Sequence, residues 1–354
     1  MRISRLVRWS SFSIILLLSG TVSAQEPPRP GQENFLSRAV FADGRLWLLS
    51  DAGELSTIVP GQRVRVDAHL PEPALDICAS DGVLRALTCA RGSCTTWTLR
   101  SWGKAHWTTI GTIRANGDSL AAIGCAATGA TIVLTDRRLI EIVDGKVSSV
   151  ALSEKLKMGT VTSIHIARDR VFAGINAGEW GGGLRRVDRK TGRVSVIEKT
   201  NGELCGGPLN TDCDPVNGIT DEPWKPECVA VAIGLVHFSP HGRIVEICGD
   251  NIRRIYFRAL GHPGAASKPE SGDEPFETEA FFGIVRTGKE LVAVGIDGVY
   301  RFGIFKDPTR VPLPDFESIG NIGVSFAFPD VVLVLTEINQ RRSISGSVPL
   351  LVSR

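Results

Sequence analysis

The chain has 354 residues, 43% hydrophobic and 6% aromatic, with 40 basic and 38 acidic side chains. That length can bury a sizeable core, and a formal charge of +2 argues against bulk binding to nucleic acid or anionic membranes. Beyond the leader described next, no segment is long and apolar enough to span a bilayer.

Residues 1–24 read as an export signal. Arg2, Arg5 and Arg8 precede the apolar run SIILLLSG, and Val22-Ser23-Ala24 forms a small-x-small cleavage pattern. Cleavage before Gln25 removes three arginines and no acid, so the formal charge of +2 becomes −1. The residue directly after the cleavage point is Gln25 and not a cysteine, which argues against a lipid anchor, and the mature chain is expected to be periplasmic or secreted. Residues 25–33 are a Pro-rich linker, and residues 34–354 read as one domain.

Within that domain one phrase recurs: an apolar run, a turn, a second apolar run and a terminal Asp, Asn, Glu or Cys. It reads LSRAVFADGRLWLLSD from residue 36, then ALDICASDGVLRALTC, LAAIGCAATGATIVLTD, VTSIHIARDRVFAGIN, GLVHFSPHGRIVEICGD, FFGIVRTGKELVAVGID and IGVSFAFPDVVLVLTE. Each is a β-hairpin pattern, and two further short strands follow most of them, as in LIEIV and KVSSVAL. Four strands per ~40–50 residues is the period of a propeller blade. The fold class is therefore all-β, a β-propeller of seven four-stranded blades, with six blades as the alternative. LSEKLKM, residues 152–158, is the one short helical candidate. Val, Ile, Leu and Ala are expected to fill the layers between blades.

Cys78, Cys89, Cys94, Cys125, Cys205, Cys213, Cys228 and Cys248 all lie in the mature part. An even count in an exported chain favours disulfides, and no C-x-x-C spacing suggests zinc. Cys89 and Cys94 flank a short turn, Cys205 with Cys213 would close a local loop, and Cys228 with Cys248 would tie an insertion to the fifth blade.

VFAGINAGEWGGGLRRVDRKTGRVSVI resembles the repeat of the two-component regulator propeller family, an LWVGT-x-GGL-x-R-x-D-x-x-TG phrase. LVAVGIDGVYRF and GRLWLLSDAGEL are weaker copies, so the resemblance covers about three blades. It implies an extracytoplasmic propeller of the ligand-sensing kind. The chain carries neither the transmembrane helix nor the kinase of that family, and the insert Ala177-Gly178-Glu179-Trp180 departs from the family turn.

In a blade with strands A to D, the A–B and C–D turns share one face, and the B–C turns and D–A links share the other. NAGEWGGG is the B–C turn of the fourth blade. The largest spacing between phrases, 73 residues, places a Cys- and Pro-rich insertion, residues 200–234, in the following D–A link. Both loops should emerge side by side, bringing together Asn176, Glu179, Trp180, Asp212, Asp214, Asn217, Asp221, Trp224 and Lys225. A tryptophan face beside carboxylates holds sugar rings or cations, and the plainer alternative is a tryptophan that packs over the hub. A second long link, residues 260–279, is rich in Pro, Gly, Ser and acids and reads as a solvated loop.

Other motifs are weaker. GGGLRR lacks the Lys and Ser/Thr of a phosphate loop and precedes a strand, so its glycines read as turn mechanics. Asp212 to Gly218 hints at Ca2+ without the full ligand spacing, and no other cofactor is expected. His237 and His241 span a strand and its turn, not a helix face. Asp51, Asp136, Asn176, Asp250, Asp297 and Glu337 recur at strand ends, where such residues cap turns. The preferred reading is a non-catalytic binding propeller whose partner is a glycan or an envelope protein. The alternative is a hydrolase or lyase acting on glycans with acids on the same face, and a third is an envelope scaffold.

Overall fold

A computed structural model describes residues 35–59, 66–156, 160–203, 205–237, 239–260, 277–304, 307–313, 322–328, 331–336 and 350–353. The leader 1–24 and the linker 25–33 lie outside the described residues. The chain folds as antiparallel sheets arranged as a β-propeller, each sheet built from consecutive strands. Four-stranded blades span residues 36–67, 74–114, 120–151, 160–197, 216–256 and 281–312.

The expectation of seven four-stranded blades is corrected to six. Each of the six follows its A–B hairpin with two more strands. The last repeat follows Ile322–Ser325 and Val331–Thr336 with one, Leu350–Ser353, giving a three-stranded sheet among the described residues. This sheet completes the ring between the sixth blade and the first. Its Val332 and Val334 pack with Val292, Val294 and Val299, while Leu333 and Leu335 pack with Leu36, Ala39, Leu46 and Leu48. Ser325 Oγ donates to Ala39 O at 2.7 Å across the closure. Among the described residues no strand is shared there, and side-chain packing with this hydrogen bond joins the two sheets.

One apolar cluster fills each gap between neighbouring sheets. Strand B is the most buried: Arg170–Asn176 and Thr131–Thr135 are buried on both faces, because a blade is covered on both sides. Val, Ile, Leu and Ala make up most of the buried side chains in every layer, as expected. Strand A of every four-stranded blade has an irregular register near its start, as at Leu36/Arg38, Ala74/Asp76 and Val161/Ser163. The bulge sharpens the local twist on the side where B–C turns and D–A links emerge.

Two further expectations need correction. Residues 152–156 are a bend and irregular chain, not helix, and Leu156 is drawn into the layer between the third and fourth blades; residues 157–159 lie outside the described residues. In the fifth blade, strand A is Val216–Asp221, inside the expected insertion, and GLVHFSPHGR is the B–C hairpin. The N-G dipeptide and polar composition of VNGITD read as loop, yet Val216, Gly218, Ile219 and Thr220 are buried against neighbouring strands. In the link 260–279, residues 261–276 lie outside the described residues. Its described end is ordered: Leu260 N donates to Glu277 O at 2.9 Å, and Thr278 and Glu279 are buried.

The disulfides follow from the strand pairing. Cys78–Cys125 joins the inner strands of the second and third blades, and Cys89–Cys94 closes the B–C turn of the second. Cys205–Cys213 closes a loop within the fourth D–A link. Cys228 and Cys248 are direct cross-strand partners, so their bridge staples strand B to strand C of one blade and does not anchor an insertion.

Candidate functional site

The true D–A link after the fourth blade is residues 198–215, between strands Val194–Ile197 and Val216–Asp221. It is anchored in three ways. Leu209 is fully buried in the layer between the fourth and fifth blades. Lys199 and Leu209 pair through their backbones. Arg243, on strand C of the fifth blade, donates to Pro208 O at 2.8 Å and Gly207 O at 3.0 Å, and forms an ion pair with Asp214. Asp214 and Arg243 are 1% and 6% exposed, so a buried pair lies at the root of the loop. Burial pushes the Asp214 carboxyl up, and the Arg243 charge and the Asn210 N–H oppose that shift.

The B–C turn of the fourth blade lies directly against this link. Gly178–Trp180 forms one turn of 3-10 helix. Gly181, Gly182 and Gly183 all have positive φ. Gly182 N donates to Thr211 O at 2.9 Å and Gly183 N to Asp214 O at 2.8 Å. A Cβ on Gly181 would lie 2.3 Å from Thr211 O, so only glycine allows the two loops to touch. Asn176 Oδ1 accepts from Gly178 N at 2.8 Å, and its Nδ2 donates to Asn217 Oδ1 at 2.8 Å. Asn217 in turn donates to Gly234 O and Phe281 O. Glu179 Oε2 meets His237 Nε2 at 3.0 Å, so the long hairpin of the fifth blade braces the turn. Trp180 stands out of this frame, 77% exposed.

The expected residues therefore divide. Asn176, Glu179, Trp180, Asp212, Asp214 and Asn217 come together on the B–C/D–A face. Asp221, Trp224 and Lys225 do not, because Val216–Asp221 is a strand that carries the chain across the blade, roughly 13–17 Å at strand rise. Those three belong to the opposite face. Asp221 pairs with His165 at 3.0 Å, which holds its carboxyl below the usual range, Trp224 Nε1 donates to Lys289 O at 2.8 Å, and Lys225 binds Glu246. The Ca2+ hint is also corrected: Asp214 turns inward onto Arg243 and Asn217 spends its amide on carbonyls, so this run gathers no oxygen cage. His237 and His241 have separate partners, Glu179 and the Cys213 carbonyl.

Asp51 and Asp136 accept from Phe35 N at 3.1 Å and Ser119 N at 2.8 Å, so they cap the start of strand A. Asp297 instead joins a network with Arg258, Glu279, Arg310 and Tyr300. Burial and the bond to Asp297 push the Tyr300 hydroxyl up. Asp250 is on the opposite face, in the C–D turn between Ser239–Cys248 and Asn251–Tyr256, and Glu337 lies outside the described residues.

Two carboxyls do meet, also on the opposite face. Glu222 and Glu246 are 4% and 1% exposed. Burial and the bond to Glu246 push Glu222 up to about 8. Burial also works to raise Glu246, but bonds from Glu222, Arg253 and Lys225 outweigh it and pull Glu246 down to about 2. Adjacent carboxyls resist double ionisation, and both cations sit on Glu246, so Glu222 keeps the proton. Glu222 also lies beside Cys228 and Cys248, whose sulfurs are bonded to each other and offer no thiolate. A dyad closed by Lys225 and Arg253 has the geometry of a structural pair.

Sequence reasoning missed a cluster of tryptophans. Trp102 and Trp107 are direct cross-strand partners around the Gly103–His106 turn, and Trp47 packs against both. The signal was present in TLRSWGKAHWTT: two tryptophans flanking a four-residue turn become neighbours once the segment is a hairpin.

The fold and its loops define a disulfide-bonded β-propeller with an ordered, aromatic-bearing loop pair on one face. No family model matches the chain, and a search of curated proteins returns no match. The repeat architecture runs through the whole described chain, beyond the three blades that resemble two-component regulator propellers. Among solved structures it is similar to a virginiamycin B lyase from Staphylococcus aureus, at 14% identity and TM-score 0.53, over 85% of this chain and 91% of that one. It is likewise similar to YCF48 from Cyanidioschyzon merolae, at 10% identity and TM-score 0.53, over 92% and 97%. YCF48 bound to D1 peptide gives 11% identity and TM-score 0.53, over 85% and 89%. At these identities the likeness shows the fold alone.

Proposed function

We propose that the chain is an exported propeller that binds an envelope protein through the B–C/D–A face of its fourth and fifth blades. The observation that carries this is Trp180, the most exposed large apolar side chain among the described residues, on a turn pinned by Gly182, Gly183 and Glu179. A pre-ordered, protruding indole flanked by a carboxylate–imidazole pair has the form of an interface anchor. Covering its exposed area would contribute about 3–5 kcal/mol before the costs of association. Four disulfides fit an oxidising compartment, and among the described residues no helix is long and apolar enough to cross a membrane.

The test is a binding screen of the mature chain against purified envelope proteins and a glycan array, repeated with Trp180→Ala. The variant should keep its melting temperature and lose at least about tenfold in affinity, the loss typical of an anchor residue. Unchanged affinity for a confirmed partner would remove this face from the function.

A further inference from the structure

The tryptophan cluster floors a cleft of about 430 Å³ between the outer strands of the first and second blades, on the side away from Trp180. That volume lies within the ~300–1,000 Å³ usual for small-ligand sites. Trp47 is fully buried, whereas Trp102 and Trp107 are half-buried. The three rings meet edge to face, with centroids 5.1–5.8 Å apart. Every indole N–H is already used. Trp47 donates to Ala42 O at 3.0 Å, Trp102 to Asp43 Oδ2 at 2.9 Å and Trp107 to Ala68 O at 3.1 Å. The rings are locked, and what they offer a ligand is apolar face and not polar edge.

The remaining lining sets the ligand class. Arg45 holds its guanidinium 5.8 Å and 6.0 Å from the Trp47 and Trp102 rings. The cation–π position is therefore filled, and a quaternary ammonium or lysine-like ligand would meet a like charge. Asp67 also lines the cleft, and Asp43 lies 3.4 Å from Arg45, so no surplus of positive charge is left to select an anion. His69 and His106 add ring nitrogens at the exposed edge of the cleft, and the buried Thr57 lies deeper in its wall. The setting is unusual for an outer strand. His106–Arg114 is otherwise threonine-rich and only partly buried, and its Trp107, with Trp102, packs one side on the core layer between the first two blades while the rest of each ring stays half-exposed at the cleft.

We infer that this cleft binds a neutral carbohydrate, a pyranose ring stacked on the face of one of Trp102 and Trp107 and edged by the other, with its hydroxyls bonded to Asp67, His106 and Arg45. Locked apolar faces ringed by neutral and charge-balanced hydrogen-bonding groups match a sugar's two chemistries. The inference is independent of the Trp180 face.

The mature chain is titrated with cellohexaose, maltohexaose and chitohexaose, followed by tryptophan fluorescence and calorimetry, with choline and a hexagalacturonate as charged counter-probes. At least one neutral hexasaccharide should bind saturably. Trp102→Ala and Trp107→Ala should each weaken it at least tenfold, Trp102→Phe less, and Trp180→Ala not at all. The exposed His106→Ala keeps the test open if an indole variant fails to fold, and should weaken binding severalfold. The proposal is overturned by no saturable response to any neutral hexasaccharide, by binding indifferent to Trp102, Trp107 and His106, or by tighter binding of choline or the polyanion.

Discussion

Arg243→Met tests how the site is held. Arg243 joins strand C of the fifth blade to residues 198–215 through Pro208 O, Gly207 O and the Asp214 carboxylate. Methionine keeps much of the apolar stem and removes the charge. Asp214, 1% exposed, would then keep only its bond from Asn210 N at 2.6 Å. Orphaning one member of a buried ion pair costs about 3–5 kcal/mol. For a chain of this size that corresponds to a fall in melting temperature of about 4–8 °C. The loss should depend on pH. Burial already raises the folded-state pKa of Asp214, and without Arg243 it rises further. A raised acid contributes stability below its unfolded pKa and loses it as pH rises through the folded value, so the deficit should be larger at pH 8 than at pH 5. Replacing both partners, as in Arg243→Met with Asp214→Leu, should recover most of the loss because no charge is left buried. Calorimetry under non-reducing conditions reads all three. A midpoint for Arg243→Met within about 2 °C of the parent at pH 8 would refute the reasoning.

Glu222→Gln should flatten the pH dependence of stability. Glu222 is pushed up to about 8, so its contribution is fully present below the unfolded carboxyl range and is lost as pH climbs to about 8; glutamine carries no such proton. Parallel unfolding curves of parent and variant from pH 5 to 8 would contradict this assignment of the proton. Cys205→Ser with Cys213→Ser should cost the loop about 2–3 kcal/mol and open residues 198–215 to protease before the blades are cut. Mass mapping of the first cleavage checks it, and a first cut elsewhere counts against the stapled loop.

Much of the architecture was legible because hairpins are local. The paired apolar runs, the turns between them and the short-range cysteine spacings all describe neighbours along the chain. Val216–Asp221 was illegible because its burial depends on facing strands, not on its own polarity. That one misplaced strand moved Asp221, Trp224 and Lys225 to the wrong face, since every strand reverses the side on which the next turn emerges. Glu179 and Trp180 were legible as a departure from the repeat. Asp214 was legible as a neighbour of that insert; Thr211 and His237 were not.

The sequence by itself determined an all-β repeat, the strand-to-strand order within most blades, and an insert carrying Glu179 and Trp180. Only the tertiary structure decided that, among the described residues, six blades have four strands and the last sheet three, that Asp214 is answered by Arg243, and that Trp47 meets Trp102 and Trp107 across two blades. The physical reason is range. Alternation and turns are written in adjacent residues, whereas ring closure, buried charge and cleft geometry arise when segments far apart in the chain pack against one another.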